Sequence, residues 1–353
     1  MIQLGFQAKH LERNTGGNAT YARRILEGLR LRDDVDVSVF ASGVGVGRLR
    51  EVRRMALESA PDLVNRHSRA ALLHYTGDTG PLLRPTGCKL VTTVHGYAQG
   101  HIPGVRRPVH AAAWRLRVQR AIAVSTRLIT VSRSSADDLV RYLGANSDRI
   151  DVIYSGIDHE QFNPRASGNL ASIRVELGRP FVLYIGNLEP RKNLTRAIAA
   201  FTKSSLPSRG WQFVIAGRAA WLAEPSLRSI RSAGASVRYL GEVPAELVAP
   251  LMAAAQAFFF PSLYEGFCFP PLEAMACGTP VIVSARGALG EVTAGCGMVV
   301  DPLSIDDMAR ALDRVCLTRL ADEMVQQGLD LVRRYTWPRS VEAHVESYRA
   351  AIA

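Results

Sequence analysis

The sequence has little of what marks secreted, membrane or metal-binding proteins. No stretch reaches the roughly eighteen uninterrupted apolar residues of a transmembrane helix, and the N-terminus lacks the charged start and long apolar centre of a signal peptide. The five cysteines are scattered and form no C-x-x-C pair, which argues against disulfides and against zinc. We therefore expect a soluble, cytoplasmic protein.

Lysine and aromatic residues are also scarce. Only four lysines occur among 43 basic residues, so arginine carries most of the positive charge behind the net value of +11. Aromatic residues make up 7% of the chain and do not alternate with basic residues in the way that favours base stacking. Nucleic acid is therefore the least favoured partner. An anionic small ligand and an anionic membrane surface remain as candidates.

Length and apolar content predict two domains. A chain of 353 residues, 47% of them hydrophobic, can bury two cores of ordinary size. Short apolar runs alternate with helix-like segments through both halves, which is typical of parallel, doubly wound α/β sheets. We predict a Rossmann-like first domain over residues 1–165, a second over 172–337, and a last helix over 338–353 that returns to the first domain.

Two features of the first half are typical of ligand sites. Gly16 and Gly17 follow a predicted strand and precede a predicted helix, an arrangement in which bare backbone N–H groups can approach a phosphate. A nicotinamide cofactor is disfavoured, because the pattern is not G-x-G-x-x-G and no suitably placed acid follows. His95 stands at the carboxyl end of a predicted strand over 88–94, where α/β sheets present their sites.

Two charged segments of the first half allow a functional and a plainer interpretation. The sequence Asp34-Val35-Asp36 matches the D-x-D spacing of metal-bound diphosphate sites, but it lies at the sheet end opposite to ligand sites, so we predict a solvated turn and no metal. Residues 105–125 predict a basic amphipathic helix. Covering the sheet is its favoured role, and peripheral contact with an anionic membrane is the alternative. Its basic residues are Arg106, Arg107, Arg115, Arg117 and Arg120.

The second half places two cations at the end of a strand. A predicted strand over 181–185 runs into Gly186 and the sequence NLEPRKN, after which residues 194–201 are predicted to be helical. Arg191 and Lys192 thus stand just before a helix N-terminus. Two adjacent cations there are well placed to neutralise a diphosphate, with the helix dipole and backbone N–H groups adding to the attraction. An exposed basic turn is the plainer alternative.

The most informative stretch is YEGFCFPPLEAMACGTP, residues 264–280. An apolar strand leads into a turn that carries Glu265, and Pro270-Pro271 then open a helix that carries Glu273. The two carboxylates can point at a ligand on the turn from different sides, and the helix dipole favours an anion at Glu273. Two solvated glutamates, or the acid and nucleophile of a glycosidase, are the alternatives.

These motifs together resemble a known family. The Glu265-x7-Glu273 motif, with TVHGY (93–97), ITVSRSSADDL (129–139), VIYSGIDHEQFNP (152–164) and YIGNLEPRKN (184–193), resembles glycosyltransferase family 4, the retaining nucleotide-sugar transferases of the GT-B fold. The likeness extends over nearly the whole chain in the expected order. It implies two Rossmann-like domains facing a cleft that holds the donor, with no metal or other cofactor.

The resemblance also implies roles for individual residues. Glu273 would bind the ribose hydroxyls, Arg191 and Lys192 the diphosphate, and Glu265 the transferred sugar, together with the backbone of Gly266, Phe267, Cys268 and Phe269. His95 would lie near the reacting sugar and Gly17 near the phosphates. Gly16, Gly186 and Val243 complete the implied donor-binding set. The implied catalytic residues are His95, Arg191, Lys192 and Glu265.

We therefore predict a retaining hexosyltransferase that moves a hexose from a nucleotide diphosphate sugar to a hydroxyl acceptor, in bacterial glycan, glycolipid or glycosylated-metabolite synthesis. The motifs look most like those of bacterial polysaccharide mannosyl- and rhamnosyltransferases, which favours GDP-mannose. The alternative is a nonenzymatic module of the same fold that binds a nucleotide sugar or an anionic lipid. Three positions depart from the family, since Gly96, Cys268 and Gly290 stand where Asp, Gly and Pro are common.

Overall fold

The structure is a computed structural model, and it describes residues 1–7, 16–40, 61–62, 65, 70–102, 108–169 and 179–353. This part of the chain forms two compact units. The first comprises Met1–Gly156 and Thr336–Ala353, and the second comprises Ile157–Tyr335. Arg106 and Arg107 of the predicted basic helix lie outside the described residues.

The first unit is built on a six-stranded parallel sheet in the order β2-β1-β3-β4-β5-β6. The side chains of its central strands, such as Leu73, Val91 and Ile129, are fully buried, as expected for a parallel sheet. The strands are β1 (Ile2–Gln7), β2 (Val35–Phe40), β3 (Leu72–Tyr75), β4 (Lys89–Val94), β5 (Arg127–Thr130) and β6 (Ile150–Val152).

Helices that the described residues delimit in full accompany this sheet, with bounds that local sequence explains. The third helix is capped by the Ser132 hydroxyl, which accepts from the backbone N–H of Ser135 at 3.0 Å, and it ends at Gly144 in the left-handed region. Gly28 lets the first and last helices approach, since a Cβ there would lie 2.4 Å from Val341. The helices are α1 (Gly17–Arg30), α2 (Pro108–Val124), α3 (Arg133–Leu143) and α11 (Trp337–Ile352).

The second unit repeats the architecture with a six-stranded parallel sheet in the order β12-β11-β10-β7-β8-β9. Its strands are β7 (Phe181–Ile185), β8 (Gln212–Ala216), β9 (Val237–Gly241), β10 (Ala257–Phe260), β11 (Val281–Ser284) and β12 (Met298–Val300). Its helices are α4 (Leu194–Lys203), α5 (Glu224–Ser232), α6 (Ala245–Ala254), α7 (Phe269–Ala276), α8 (Leu289–Thr293), α9 (Ile305–Leu317) and α10 (Leu320–Val332).

The strand order of the second sheet brings two distant segments together. Strand β7 pairs with β10, through Ala257 opposite Val182 and Phe258 opposite Leu183. The chain runs outward from β7 to β8 and β9, and in the other direction from β10 to β11 and β12. The segments that leave β7 and β10 therefore emerge side by side where the strand order reverses, which is the point where open α/β sheets bind ligands.

The predicted fold class is confirmed by two doubly wound parallel sheets, with α11 belonging to the first unit. Helix α2 buries Val118 and Ile122 and exposes Leu116, as a helix that covers the sheet should. Asp34 of the D-x-D sequence accepts hydrogen bonds from Arg32 and Arg349. No helix of the described residues is long and apolar enough to cross a membrane.

Candidate functional site

The candidate site of the second unit lies where β7 and β10 end. After β7 the chain passes Gly186 and forms a short 3-10 turn, Pro190–Lys192, before α4 begins. Proline suits the first position of that turn, because its φ is preset and its missing N–H is not needed there. The side-chain amide of Asn193 then donates to the carbonyls of Pro261 and Pro302, at 3.2 and 2.7 Å. This holds the turn against the exit of β10.

Arg191, Lys192 and Glu265 form one ion-pair cluster. One Glu265 carboxylate oxygen accepts from Arg191 Nη1, and the other accepts from Lys192 Nζ at 2.7 Å. Arg191 also donates to the Tyr264 carbonyl at 3.0 Å and to Glu189 at 2.6 Å. The two adjacent cations therefore share a carboxylate from a strand end 73 residues further along the chain.

Two members of this cluster, Glu265 and Lys192, are nearly closed to solvent, whereas the Arg191 side chain is partly exposed. Glu265 is 6% exposed and Lys192 is 8% exposed, and the Lys192 ammonium lies 4.6 Å from the centre of the Phe260 ring. Burial raises the pKa of Glu265, but the charges of Arg191 and Lys192 outweigh that effect and bring the pKa to about 2. The carboxylate thus stays ionised and neutralises part of the positive charge beside it.

Glu273 lies in a different electrostatic environment on α7. Its side chain is partly exposed, and its carboxylate has no hydrogen-bond or ion-pair partner among the described residues. Burial first, and the nearby charge of Asp158 second, raise the pKa of Glu273 to about 8. The helix dipole that was expected to favour the anion does not prevail against these two effects. Near neutral pH this group is largely protonated until a ligand supplies hydrogen bonds.

The turn between the two acids has a strained backbone. Cys268 caps α7 with φ of +88°, a conformation that L side chains rarely adopt, and its thiol is buried. The rings of Phe267 and Phe269 meet edge to face at 5.3 Å. Gly287 lies so close that a Cβ would be 2.3 Å from the Glu265 carbonyl oxygen. Glu265 is therefore held by its backbone as well as by its side chain.

The predicted residues of the first unit lie around the start of α1. Gly16 caps this helix with φ of +90°, and Gly16 and Gly17 are both exposed at its N-terminus. The His95 backbone N–H donates to Asp78 at 2.8 Å, and His95 Nε2 lies 3.0 Å from the Thr76 carbonyl and donates to it. The His95 ring packs edge to face on Tyr21 of α1, with 4.8 Å between ring centres.

The structure thus brings some of the predicted residues into contact and leaves others apart. Arg191, Lys192 and Glu265 touch one another, and Glu273 lies on the helix that follows the 265–268 turn. Gly186 follows β7 directly, whereas Val243 lies two residues beyond β9 at the sheet edge.

Four residues that contact the predicted site residues or shift their pKa were not predicted from the sequence. Glu189 could have been found, because it precedes Pro190 in the same NLEPRKN motif and is an acid beside two cations. Asp78, Asp158 and Tyr21 carry no local signal, since each acquires its role only through a contact made in the fold.

Two family models match the chain, one in each half. Residues 15–161 match the model described as "Glycosyltransferase Family 4", and residues 169–328 match "Glycosyl transferases group 1". The second match contains the Arg191–Lys192–Glu265 cluster and Glu273, and the first contains Gly16, Gly17 and His95.

Individual relatives agree with these matches. The O-antigen chain mannosyltransferase B of Escherichia coli is 27% identical over 272 residues, covering 74% of this chain and 70% of the relative. The D-inositol 3-phosphate glycosyltransferase of Rhodococcus erythropolis is 31% identical over 304 residues, covering 79% of this chain and 67% of the relative. The chain spans between 54% and 70% of the length of such curated relatives.

Solved structures share the fold. Anabaena HepE, solved in complex with UDP and glucose, superposes with a TM-score of 0.77 at 18% identity, covering 99% of this chain and all of that one. At this identity the likeness concerns the fold, which is GT-B.

Proposed function

The chain belongs to the glycosyltransferases of group 1 and family 4, and we propose that it transfers a hexose from a nucleotide diphosphate sugar to a hydroxyl group of an acceptor. The observation that carries this proposal is the pairing of two cations, Arg191 and Lys192, with the carboxylate of Glu265 where β7 and β10 end. Glu273 lies on the helix that follows this turn, with a carboxyl group that takes up a proton unless a ligand stabilises its anion.

In the proposed reaction, the bond between the anomeric carbon and the diphosphate oxygen breaks and both electrons leave with the diphosphate. The acceptor oxygen bonds to the anomeric carbon on the face that the leaving group vacates, so configuration is retained, and the acceptor proton passes to the departing diphosphate. Arg191 and Lys192 stabilise the charge that grows on the diphosphate, in the role that a metal ion fills elsewhere. We accordingly propose no metal cofactor.

Glu265 has a different role in this proposal from the one that the family resemblance implied. Both of its carboxylate oxygens are occupied by Arg191 and Lys192, so we propose that it holds these cations in place and meets the sugar only through its backbone. Glu273 accepts two hydrogen bonds from the ribose diol once it is ionised. His95, beyond the end of β4, is proposed to contact the reacting sugar.

Mannose is the sugar we favour, with GDP-mannose as donor, because a mannosyltransferase is among the relatives. The test is to incubate the protein with GDP-mannose, UDP-glucose and dTDP-rhamnose separately and to follow nucleotide release. We expect the highest turnover with GDP-mannose. Absence of turnover with every donor, together with absence of nucleotide binding by calorimetry, would overturn the enzyme proposal.

Replacing Lys192 separates an enzyme from a nonenzymatic binding module of the same fold. In an enzyme, Lys192→Ala should lower kcat by about 10²–10³ and weaken donor binding much less. Lys203→Ala is the matched control, because Lys203 is an exposed lysine of the same unit that pairs with Asp306. Equal losses of kcat and donor affinity in Lys192→Ala would favour the binding module.

We also propose peripheral contact with the anionic inner face of a membrane through α2. No acidic residue occurs between Asp78 and Asp137, a segment that carries nine arginine and lysine residues. On α2 the side chain of Leu116 is 69% exposed and is flanked by exposed Arg115, and Leu83 is 55% exposed. An apolar side chain among cations suits an anionic interface.

Sedimentation with vesicles tests this contact. The protein should pellet with phosphatidylglycerol vesicles and stay in solution with phosphatidylcholine vesicles, and Leu116→Asp should abolish pelleting. Val140→Asp, at an exposed apolar position of α3, is the matched control. Failure of the unmodified protein to pellet with anionic vesicles would return α2 to the role of a cover for the sheet.

A further inference from the structure

A row of hydrogen-bonding side chains lies buried in the first unit. Five side chains from four elements belong to it, and none is more than 1% exposed. They are Tyr21 of α1, His74 of β3, Thr93 of β4, and His344 and Tyr348 of α11. We call them the buried chain.

The direction of each hydrogen bond follows from one end of the buried chain. His344 Nδ1 lies 2.7 Å from the carbonyl oxygen of Ser340, which can only accept, so Nδ1 carries the proton. In a neutral imidazole the other nitrogen then accepts, and the Tyr21 hydroxyl, 2.7 Å away, donates to it. A hydroxyl has one proton, so the Tyr21 oxygen accepts from Thr93 at 2.9 Å.

The same reasoning assigns the hydrogen-bond directions in the other half of the buried chain, from Thr93 to Tyr348. Thr93 has given its proton to Tyr21, so its oxygen accepts from His74 Nε2 at 2.8 Å. His74 Nδ1 then accepts from the Tyr348 hydroxyl at 2.8 Å. Burial lowers the pKa of both histidines, that of His344 to about 4, so both are neutral as this scheme requires. Each hydroxyl or imidazole proton of the buried chain therefore has one acceptor, and the donors follow one another from the Tyr348 hydroxyl to the Ser340 carbonyl.

Tyr21 is the member of the buried chain that touches His95. Its ring meets the His95 imidazole at an interplanar angle of 88° and a centre-to-centre distance of 4.8 Å. Its hydroxyl is held from two sides, by Thr93 and by His344, so the ring cannot shift without breaking two buried hydrogen bonds. Thr93 and His95 are two residues apart on the same chain segment, which ties both contacts to β4.

We propose that Tyr21 is a positioning residue for His95: the buried chain fixes the Tyr21 ring, and the ring fixes the plane of the imidazole. The inference rests on the proposed function, in which His95 contacts the reacting sugar. Tyr21 itself stays buried and acts only through His95.

Two tyrosine variants test the inference, because each removes one buried hydroxyl and keeps the ring. Tyr21→Phe should lower kcat about 10-fold or more, since small displacements of reacting groups are costly, and leave the donor KM within about twofold. Tyr348→Phe removes the far end of the buried chain and should lower thermal stability similarly with kcat within about twofold. Equal losses of kcat in the two variants would overturn the inference.

A double variant shows whether Tyr21 acts through His95. In a His95→Ala background, Tyr21→Phe should produce no further loss of kcat, because the group that it positions is gone. A full additional 10-fold loss would contradict the inference.

A spectroscopic readout keeps the inference testable apart from turnover. The His95 ring resonance, assigned in histidine-labelled protein by its absence from His95→Ala, should move in Tyr21→Phe and stay in place in Tyr348→Phe. An unmoved resonance in both variants would overturn the inference even in an active enzyme. If the unmodified protein turns over no donor, the proposed function fails, while the resonance still reports whether Tyr21 places His95.

Discussion

The two units carry buried polar groups of opposite character. In the first, the buried chain is neutral, and each hydroxyl or imidazole proton has one acceptor. In the second, Arg191, Lys192, Glu265 and Glu189 carry full charges that cancel as a set. A closed set of neutral hydrogen bonds has nothing left to offer a ligand. A set of paired charges can exchange one partner for an incoming anion.

The difference also has an energetic side. Burying ions costs several kcal/mol per ion and is repaid only when the geometry is good, so the charged cluster depends on every member. The neutral chain avoids that cost, and each of its bonds contributes about 1 kcal/mol. The same doubly wound architecture therefore carries neutral hydrogen bonds that hold α11 in the first unit, and in the second a cluster of charges that can exchange a partner for an anion.

The largest expected effect comes from removing the shared carboxylate. Glu265→Gln leaves Arg191 and Lys192 without their common partner, and breaking a buried ion pair in this way costs about 3–5 kcal/mol. Urea denaturation should report the loss. Glu189→Gln is the control, since it removes a partner of Arg191 only. If both variants lost the same stability, the cluster would not depend on sharing one carboxylate.

The buried chain of the first unit and the ion-pair cluster of the second should lose their contributions to stability in different pH ranges. Unfolded His344 takes up a proton near pH 6.5 and folded His344 only near 4, so its contribution to stability is present above pH 6.5 and is lost as the pH falls towards 4. The loss is about 3 kcal/mol by linkage. Glu265, with a folded pKa of about 2 against 4.5, loses its contribution only below pH 4.5. The groups facing His344 are Tyr21, Tyr348, His74, His95 and Asp151.

Urea denaturation at each half pH unit between 7 and 3 measures the two windows. His344→Gln should make the fall in stability between pH 6.5 and 4 less steep; the part that remains comes from His74, whose pKa burial also lowers. A profile that falls only below pH 4.5 in the unmodified protein would contradict the neutral state of the buried histidines.

A smaller effect of opposite sign is expected at Glu273. Its folded pKa is raised, so the folded protein holds a proton that the unfolded chain has lost, and stability falls as the pH rises from 4.5 through 8. Glu273→Gln should therefore raise the unfolding free energy at pH 8, by about 2 kcal/mol after allowance for solvent screening, and leave it unchanged at pH 4. Donor affinity, measured by calorimetry, should fall in the same variant.

Stabilisation with unchanged donor affinity in Glu273→Gln would remove Glu273 from the ribose site. No stabilisation at pH 8 would show that the carboxyl group is better solvated than its position on α7 indicates.

The smallest effect is expected on the outer face of α11. Arg349 pairs there with Asp34 and Glu342, and its side chain is 54% exposed. Because exposed ion pairs contribute little, Arg349→Ala should shift Tm by only about 1–2 °C. The shift should vanish in 0.5 M NaCl, where the Debye length is roughly 4 Å. A shift as large as that of Tyr348→Phe would mean that the helix is held from outside as firmly as from within.

Local features of the site were predictable from the sequence, whereas its long-range partners were not. The strand over 181–185, the turn at Pro190 and the helix after Asn193 placed Arg191 and Lys192 correctly at a strand end. Their pairing with Glu265 depends on β7 lying beside β10, and sequence patterns do not reveal strand order.

The pKa shift of Glu273 and the network of buried histidines also could not be predicted, because both depend on contacts between distant parts of the sequence. Asp158, which raises the pKa of Glu273, is 115 residues away in the chain, and it becomes a neighbour only through the fold. His74 and His344 are isolated histidines in the sequence, and their shared network exists only because α11 packs on the sheet of the first unit. The pattern of apolar residues along the sequence predicts the fold class, whereas the pKa of a side chain depends on which helices and strands pack around it.

The position of α11 has a consequence for synthesis on the ribosome. The first unit needs Thr336–Ala353, and the whole of Ile157–Tyr335 is translated before them. We therefore expect the second unit to acquire its structure on the nascent chain while the first still awaits its last helix, against the usual order in which the N-terminal domain folds first. Until Thr336–Ala353 has been made and has packed, His74 and Tyr21 lack their partners on α11, and a chaperone would encounter the first unit in this incomplete state.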